Sequence, residues 1–173
     1  PKFLRRRHKW LLPLMPTAPE TFNLRDFDLV ISSSSAFAKG VVLKPKTIHV
    51  SYCHSPMRYA WDLREQYLEQ SGLGRGVQGA IVRGMLGYLR RWDRASSARV
   101  DRFIANSAYI RARIARCYGR DADVIYPPVD VDFFTPDLAL PPPGRRAYYV
   151  TASRWVPYKR VDLVVAAFRE LPE

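Results

Sequence analysis

The chain has 173 residues, 47% of them hydrophobic and 13% aromatic, and a formal net charge of +12. That is enough apolar material for a packed core, and it excludes an intrinsically disordered chain. The charge favours acidic partners, whether nucleic acid, anionic lipid or phosphorylated small molecules, without choosing among them.

Residues 1–26 are basic and then proline-punctuated, which predicts an irregular region with one short helix. Arg5–Lys9 followed by Trp10, Leu11 and Leu12 imitates the start of a signal peptide, but Pro13 and Pro16 break the apolar part too early. No window approaches the length of a membrane-spanning helix. The start at Pro1 rather than Met is read as the mark of an internal fragment.

Asp28–Ile31 predicts a short strand running into the serine cluster Ser32–Ser35, followed by a second apolar run at Val41–Leu43. Thr47–Cys53, β-branched and aromatic, predicts another strand, ended by His54-Ser55-Pro56. Met57–Asp62 opens a segment that becomes helical to about Gln70. Gly72–Gly76, GLGRG, follows a helix rather than a strand, so it reads as a cap and turn and not as a dinucleotide loop.

Val77–Ala98 is the longest periodic segment. Ile81, Val82, Met85, Leu86, Leu89 and Trp92 form one stripe, with Arg83, Arg90, Arg91 and Arg94 mostly off it. A buried stripe with a solvated basic face is the default reading, and contact with anionic lipid headgroups is the sharper one. Arg102–Ala105 predicts a strand, and Asn106 or Ser107 caps a following helix that carries Ile110, Ile114 and Cys117 and ends at Gly119. Asp123–Tyr126 predicts a further short strand.

Residues 127–146 are proline-rich and read as a linker between domains. Beyond it, Ala147–Ala152 predicts a strand, and Val161, Val164, Val165, Phe168 and Leu171 recur at helical spacing. Between them lies TASRWVPYKR, Thr151–Arg160, with Pro157 where a helix can begin. Arg154 can grip a phosphate as a fork and Lys159 as a point charge, beside the unsatisfied amides of a helix start. Strand–helix alternation on both sides of the linker predicts α/β layers with parallel sheets. Cys53 and Cys117 stand in apolar contexts and read as reduced core residues of a cytosolic protein. No metal-ligand spacing is present, and no metal is expected.

In open parallel sheets, ligands bind beyond the C-terminal ends of the strands. Ser34 and Ser35, His54, Asn106 and Ser107, and then Arg154 and Lys159 all follow predicted strands. Each has a plain structural explanation: a loop, a satisfied buried histidine, a cap. Together they fit a cleft between two α/β domains that takes an anionic, hydroxylated ligand.

These segments carry a family resemblance. YCHSPMRYAWD (Tyr52–Asp62), RFIANSAYIRARI (Arg102–Ile114), IYPPVD (Ile125–Asp130) and SRWVPYKRVDLVVAAF (Ser153–Phe168) resemble the retaining glycosyltransferases of GT-B fold and family 4 type. Pro13–Val41 is similar to the subgroup of bacterial mannosyltransferases of surface polysaccharide synthesis. The resemblance implies that residues 1–126 are part of an N-terminal, acceptor-side Rossmann-like domain, and that residues 147–173 begin a C-terminal nucleotide-sugar-binding domain. It implies transfer of a sugar, mannose from GDP-mannose, to an acceptor hydroxyl with retention of configuration and without a cofactor. His54 would act near the transferred sugar, and Arg154 and Lys159 would bind the donor diphosphate. The acceptor would be a polysaccharide or a lipid-linked glycan, and the setting the cytoplasm at the inner face of a membrane. The family's glycine-rich N-terminal loop and paired-glutamate motif are not found among these residues, so the chain by itself is expected to show no turnover. The rival reading is a basic nucleic-acid-binding or membrane-surface scaffold domain; no nucleic-acid recognition signature supports the first of these.

Overall fold

A computed structural model describes residues 8–70, 76–135, 150–156 and 159–170. The chain divides into two compact units, Pro1–Pro128 and Val129–Glu173.

The first unit is a four-stranded parallel sheet with strands β1 (Leu29–Ser34), β2 (Ile48–Cys53), β3 (Arg102–Ala105) and β4 (Asp123–Val124) in sequence order. Its helices are α1 (Thr17–Glu20), α2 (Arg64–Gln70), α3 (Gly76–Ser97) and α4 (Ala108–Tyr118). Short 3-10 segments lie at His8–Leu14 and Ala38–Gly40. This is the α/β, Rossmann-like arrangement that the alternation of segments predicted. The segment after β2 becomes helical and ends at Gln70, as its sequence suggested. Residues 58–63 form turns, and the helix proper starts at Arg64.

Parallel strands laid down in one direction by right-handed crossovers put every crossover on the same side of the sheet. One face is therefore packed and the other is open. On the packed face the strands contribute Ser32, His49, Ser51, Cys53, Phe103 and Ala105, all buried. Ile110, Ile114, Cys117 and Tyr118 of α4 close over Cys53, Phe103 and Ala105. Met57, Ala60, Leu68, Leu86 and Leu89 form a second cluster, and Trp61 packs against both. On the open face Leu29, Ile31 and Ile48 are more than half exposed, which the composition of the strands did not foretell.

Helix α3 departs from its predicted stripe. Leu86 and Leu89 are buried as expected, but Ile81 is 67% exposed, and the buried row continues through Asp93, Ser96 and Ser97. Ile81 lies roughly a third of a turn away from the arc of Leu86, Leu89 and Asp93. Gly40 sits against Trp92 of this helix: a Cβ there would meet the indole ring at 2.4 Å, so only glycine lets the loop after β1 approach α3.

Helix α4 has both of its expected signals. Ser107 Oγ accepts a hydrogen bond from the Ile110 amide at 3.3 Å, and Gly119 closes the helix in the left-handed region at φ 69°.

In the second unit the described residues hold helix α5 (Val161–Arg169). The strand expected over Ala147–Ala152 is not formed at Val150–Ala152, which are irregular; residues 147–149 lie outside the described residues. An apolar run becomes a strand only where a ladder partner exists, and among the described residues of this unit there is no strand. Pro157, Gly72 and Leu171 also lie outside the described residues.

Candidate functional site

Strand parity decides which serine of the cluster does what. Ser32 points into the packed face, where its hydroxyl donates to His49 Nε2 at 2.9 Å. His49 Nδ1 donates to the Arg99 carbonyl at 3.2 Å, and its amide donates to Asp101 Oδ2 at 2.7 Å. Burial pushes the His49 imidazole below its ordinary range, against a smaller raising effect of the Arg99 carbonyl. His49 is thus a neutral, fully satisfied core histidine that ties β2 to the segment before β3.

Ser33, one residue on, faces the other way. Its hydroxyl lies 3.0 Å from Nε2 of His54, the first residue beyond β2. The His54 amide donates to the Ser34 carbonyl at 3.0 Å, and Asn106 Nδ2 donates to the His54 carbonyl at 3.3 Å. The Tyr52 ring and the imidazole meet in a T-shaped contact with centroids 5.3 Å apart, while Tyr52 OH donates to the Ile125 carbonyl at 3.0 Å. Ser107 caps α4 and donates to Asn106 Oδ1 at 3.2 Å. The C-terminal ends of β1, β2 and β3 therefore bring Ser33, His54, Asn106 and Ser107 into one polar cluster. His54 is exposed, and no described residue bonds its Nδ1.

Ser34 is turned away from this cluster. Its hydroxyl accepts from the amides of Ala36 at 2.9 Å and Ala38 at 3.2 Å, so it nucleates the 3-10 turn. Ser35 is exposed in the bend that follows. Ser33 had the same signal available as Ser34, a serine at a strand end; only the inward–outward alternation separates them.

Below the cluster lies an ion pair that sequence reasoning missed. Lys39, within the 3-10 turn that Ser34 caps, pairs with Asp93 of α3, with side chains 4% and 0% exposed. Asp93 Oδ2 also accepts from Trp61 Nε1 at 2.8 Å and from Tyr118 OH at 2.9 Å, and Lys39 Nζ donates to the Ala36 carbonyl at 3.2 Å. Burial and the nearby Asp93 charge push the Tyr118 phenol far up, so it stays a donor. This network fixes the loop after β1, the turn before α2, and helices α3 and α4 to one another. Burial likewise pushes the Cys53 thiol up to about 12, which leaves it unreactive.

The cationic residues belong to the second unit. Arg154 and Lys159 are exposed, Lys159 donating its amide to the Val156 carbonyl at 2.9 Å. Arg160 precedes α5 in the left-handed region at φ 48°, and its guanidinium donates to Asp162 at 3.1 Å.

An exposed imidazole with a free ring nitrogen, flanked by an amide and hydroxyls, can bond a polyhydroxylated ligand and take or give a proton. The chain matches the family model described as Glycosyltransferase Family 4 over residues 1–133. No curated protein and no solved structure matches it.

Proposed function

The chain belongs to glycosyltransferase family 4, and on that premise we propose that it serves transfer of mannose from GDP-mannose to an acceptor hydroxyl, with retention of configuration. The observation that carries this reading is the exposed His54, gripped on both sides at the strand ends of the family-matched segment. His54 lies near the transferred sugar, and Asn106 and Ser107 border it. Arg154 and Lys159 bind the donor diphosphate. As the glycosidic bond breaks, negative charge grows on the leaving phosphate, and fixed cations there lower the barrier. The sugar meanwhile becomes oxocarbenium-like, as in glycoside hydrolysis. Protein cations supply the charge that a metal would otherwise bring. The mannosyl assignment is supported by the resemblance of Pro13–Val41 to polysaccharide mannosyltransferases. The setting it implies is polysaccharide or glycolipid synthesis in the cytoplasm.

A donor screen on the product of the whole open reading frame tests this. The expected result is transfer from GDP-mannose, with a product whose one-bond C1–H1 coupling matches the donor's α configuration. Transfer from another nucleotide sugar would overturn the mannosyl assignment, and an inverted product would overturn retention.

A second observation favours peripheral contact with an anionic membrane. Val77, Ile81 and Tyr88 are exposed along α3, beside the exposed Arg83, Arg90, Arg91 and Arg94. No helix among the described residues is long and apolar enough to cross a membrane. A basic face with apolar residues at its border suits the headgroup layer instead. Each arginine near an anionic surface contributes about 1 kcal/mol. Arg91→Gln with Arg94→Gln is therefore expected to weaken flotation with phosphatidylglycerol vesicles by roughly 30-fold. Equal flotation of the wild type with neutral phosphatidylcholine vesicles would sink the electrostatic reading.

A further inference from the structure

We propose that Ser33 and Tyr52 are positioning residues that set the His54 imidazole for transfer, an inference that rests on the reading of His54 given under Proposed function. A histidine at a loop start is ordinarily free to turn about two side-chain bonds. Here its backbone is fixed first: the amide donates to the Ser34 carbonyl at 3.0 Å, and the carbonyl accepts from Asn106 at 3.3 Å. The ring is fixed next. The Ser33 hydroxyl engages Nε2 at 3.0 Å, and the edge contact with Tyr52, at 5.3 Å between centroids, limits the ring's rotation. Tyr52 is itself tethered, its hydroxyl donating to the Ile125 carbonyl at 3.0 Å.

The result is an exposed side chain with one ring nitrogen spoken for and the other, Nδ1, left to meet a ligand. Exposed polar groups seldom need so much support for stability alone. A group that must meet a reacting sugar within about half an ångström does. The Ser33 hydroxyl can donate to Nε2 or accept from it, so it holds the aim of the imidazole in either tautomer. The parallel register places Ser33 directly opposite Tyr52, so adjacent strands deliver both supports at one level of the sheet.

The test has two independent arms on the product of the whole open reading frame. In the first, 15N-labelled histidine is followed by NMR, with His54 assigned by its loss in His54→Ala. The wild type is expected to show a His54 Nε2 shift displaced by its hydrogen bond to Ser33. Ser33→Ala should move the ring nitrogen shifts toward free-imidazole values, and Ser33→Thr should restore them. In the second arm, Ser33→Ala is expected to lower kcat about five- to tenfold with the donor KM little changed. Ser33→Thr should recover most of that loss, and Ser33→Ala in a His54→Ala background should cost nothing more. Unchanged ring nitrogen shifts in Ser33→Ala would overturn the positioning role. Shifted signals together with full transfer by His54→Ala would instead overturn the functional reading of His54, and with it the purpose assigned to its supports.

Discussion

Asp93→Ala is expected to destabilise the first unit by about 3–5 kcal/mol, because it strips a buried charge of its partner. Asp93 is fully buried and Lys39 is 4% exposed. Removing the carboxylate leaves the Lys39 ammonium with the Ala36 carbonyl at 3.2 Å and the rings of Trp92 and Tyr118, 5.1 and 5.3 Å away at their centroids, but with no counter-charge among the described residues. It also orphans the Trp61 N–H and the Tyr118 hydroxyl, which now donate at 2.8 and 2.9 Å. Folded domains have total stabilities of about 5–15 kcal/mol, so this single loss consumes a large part. The attraction within the pair is not itself the source of that figure. Lys39→Met combined with Asp93→Leu removes both charges and should recover much of the loss. Urea unfolding of the three variants measures this. A loss below about 1 kcal/mol for Asp93→Ala would show that water reaches the pair and relieves it.

Arg154→Ala or Lys159→Ala in the complete enzyme is expected to lower turnover by about one to two decades, corresponding to a charge-assisted contact of about 1.5–3 kcal/mol. On the function proposed above, cations are needed where the leaving diphosphate gathers charge. The neighbouring Arg160 guanidinium donates to Asp162 at 3.1 Å. Asp162, in turn, lies in the first turn of α5, where a carboxylate suits the positive end of the helix. Arg154→Lys separates fork from point charge: a bidentate phosphate contact would be lost, a simple electrostatic one kept. The measurement is steady-state kinetics with circular dichroism to establish folding. Unchanged turnover in a folded variant would remove both residues from the donor site.

Much of the fold was legible from local chemistry. β2 announces itself by its β-branched and aromatic run, and α4 by Ser107 before it and Gly119 after it. Asp93 was not legible, because an aspartate in a basic helix reads as part of the solvated face. The available signal was its position seven residues beyond Leu86 and four beyond Leu89, on the arc those two define. His49 and His54 illustrate the same limit. They stand five positions apart in one segment, yet one is a core residue and the other an exposed group at a strand end. Parity along β2 points His49 inward; the end of the strand releases His54 from that alternation. Ser33 was lost among three identical neighbours for a related reason, since composition cannot say which serine faces which side. The irregular Val150–Ala152 shows the reverse case, in which strand-like residues have no described partner to pair with.

The all-parallel strand order also bears on how the first unit comes together. No two adjacent strands in it form a hairpin, so no part of the sheet can zip from a tight turn. Every pairing waits for a crossover to close, and closure costs more entropy as the intervening loop lengthens. The connection from Cys53 to Arg102, which carries α2 and α3, is the longest of these. The one from β1 to β2 is short but carries only a 3-10 turn, whereas the β3–α4–β4 segment has a capped helix with its own apolar face. That segment is expected to form first, and the Lys39–Asp93 contact, bridging positions 54 apart in sequence, to close late. In that order the buried charges would be committed only once the surrounding architecture is there to receive them.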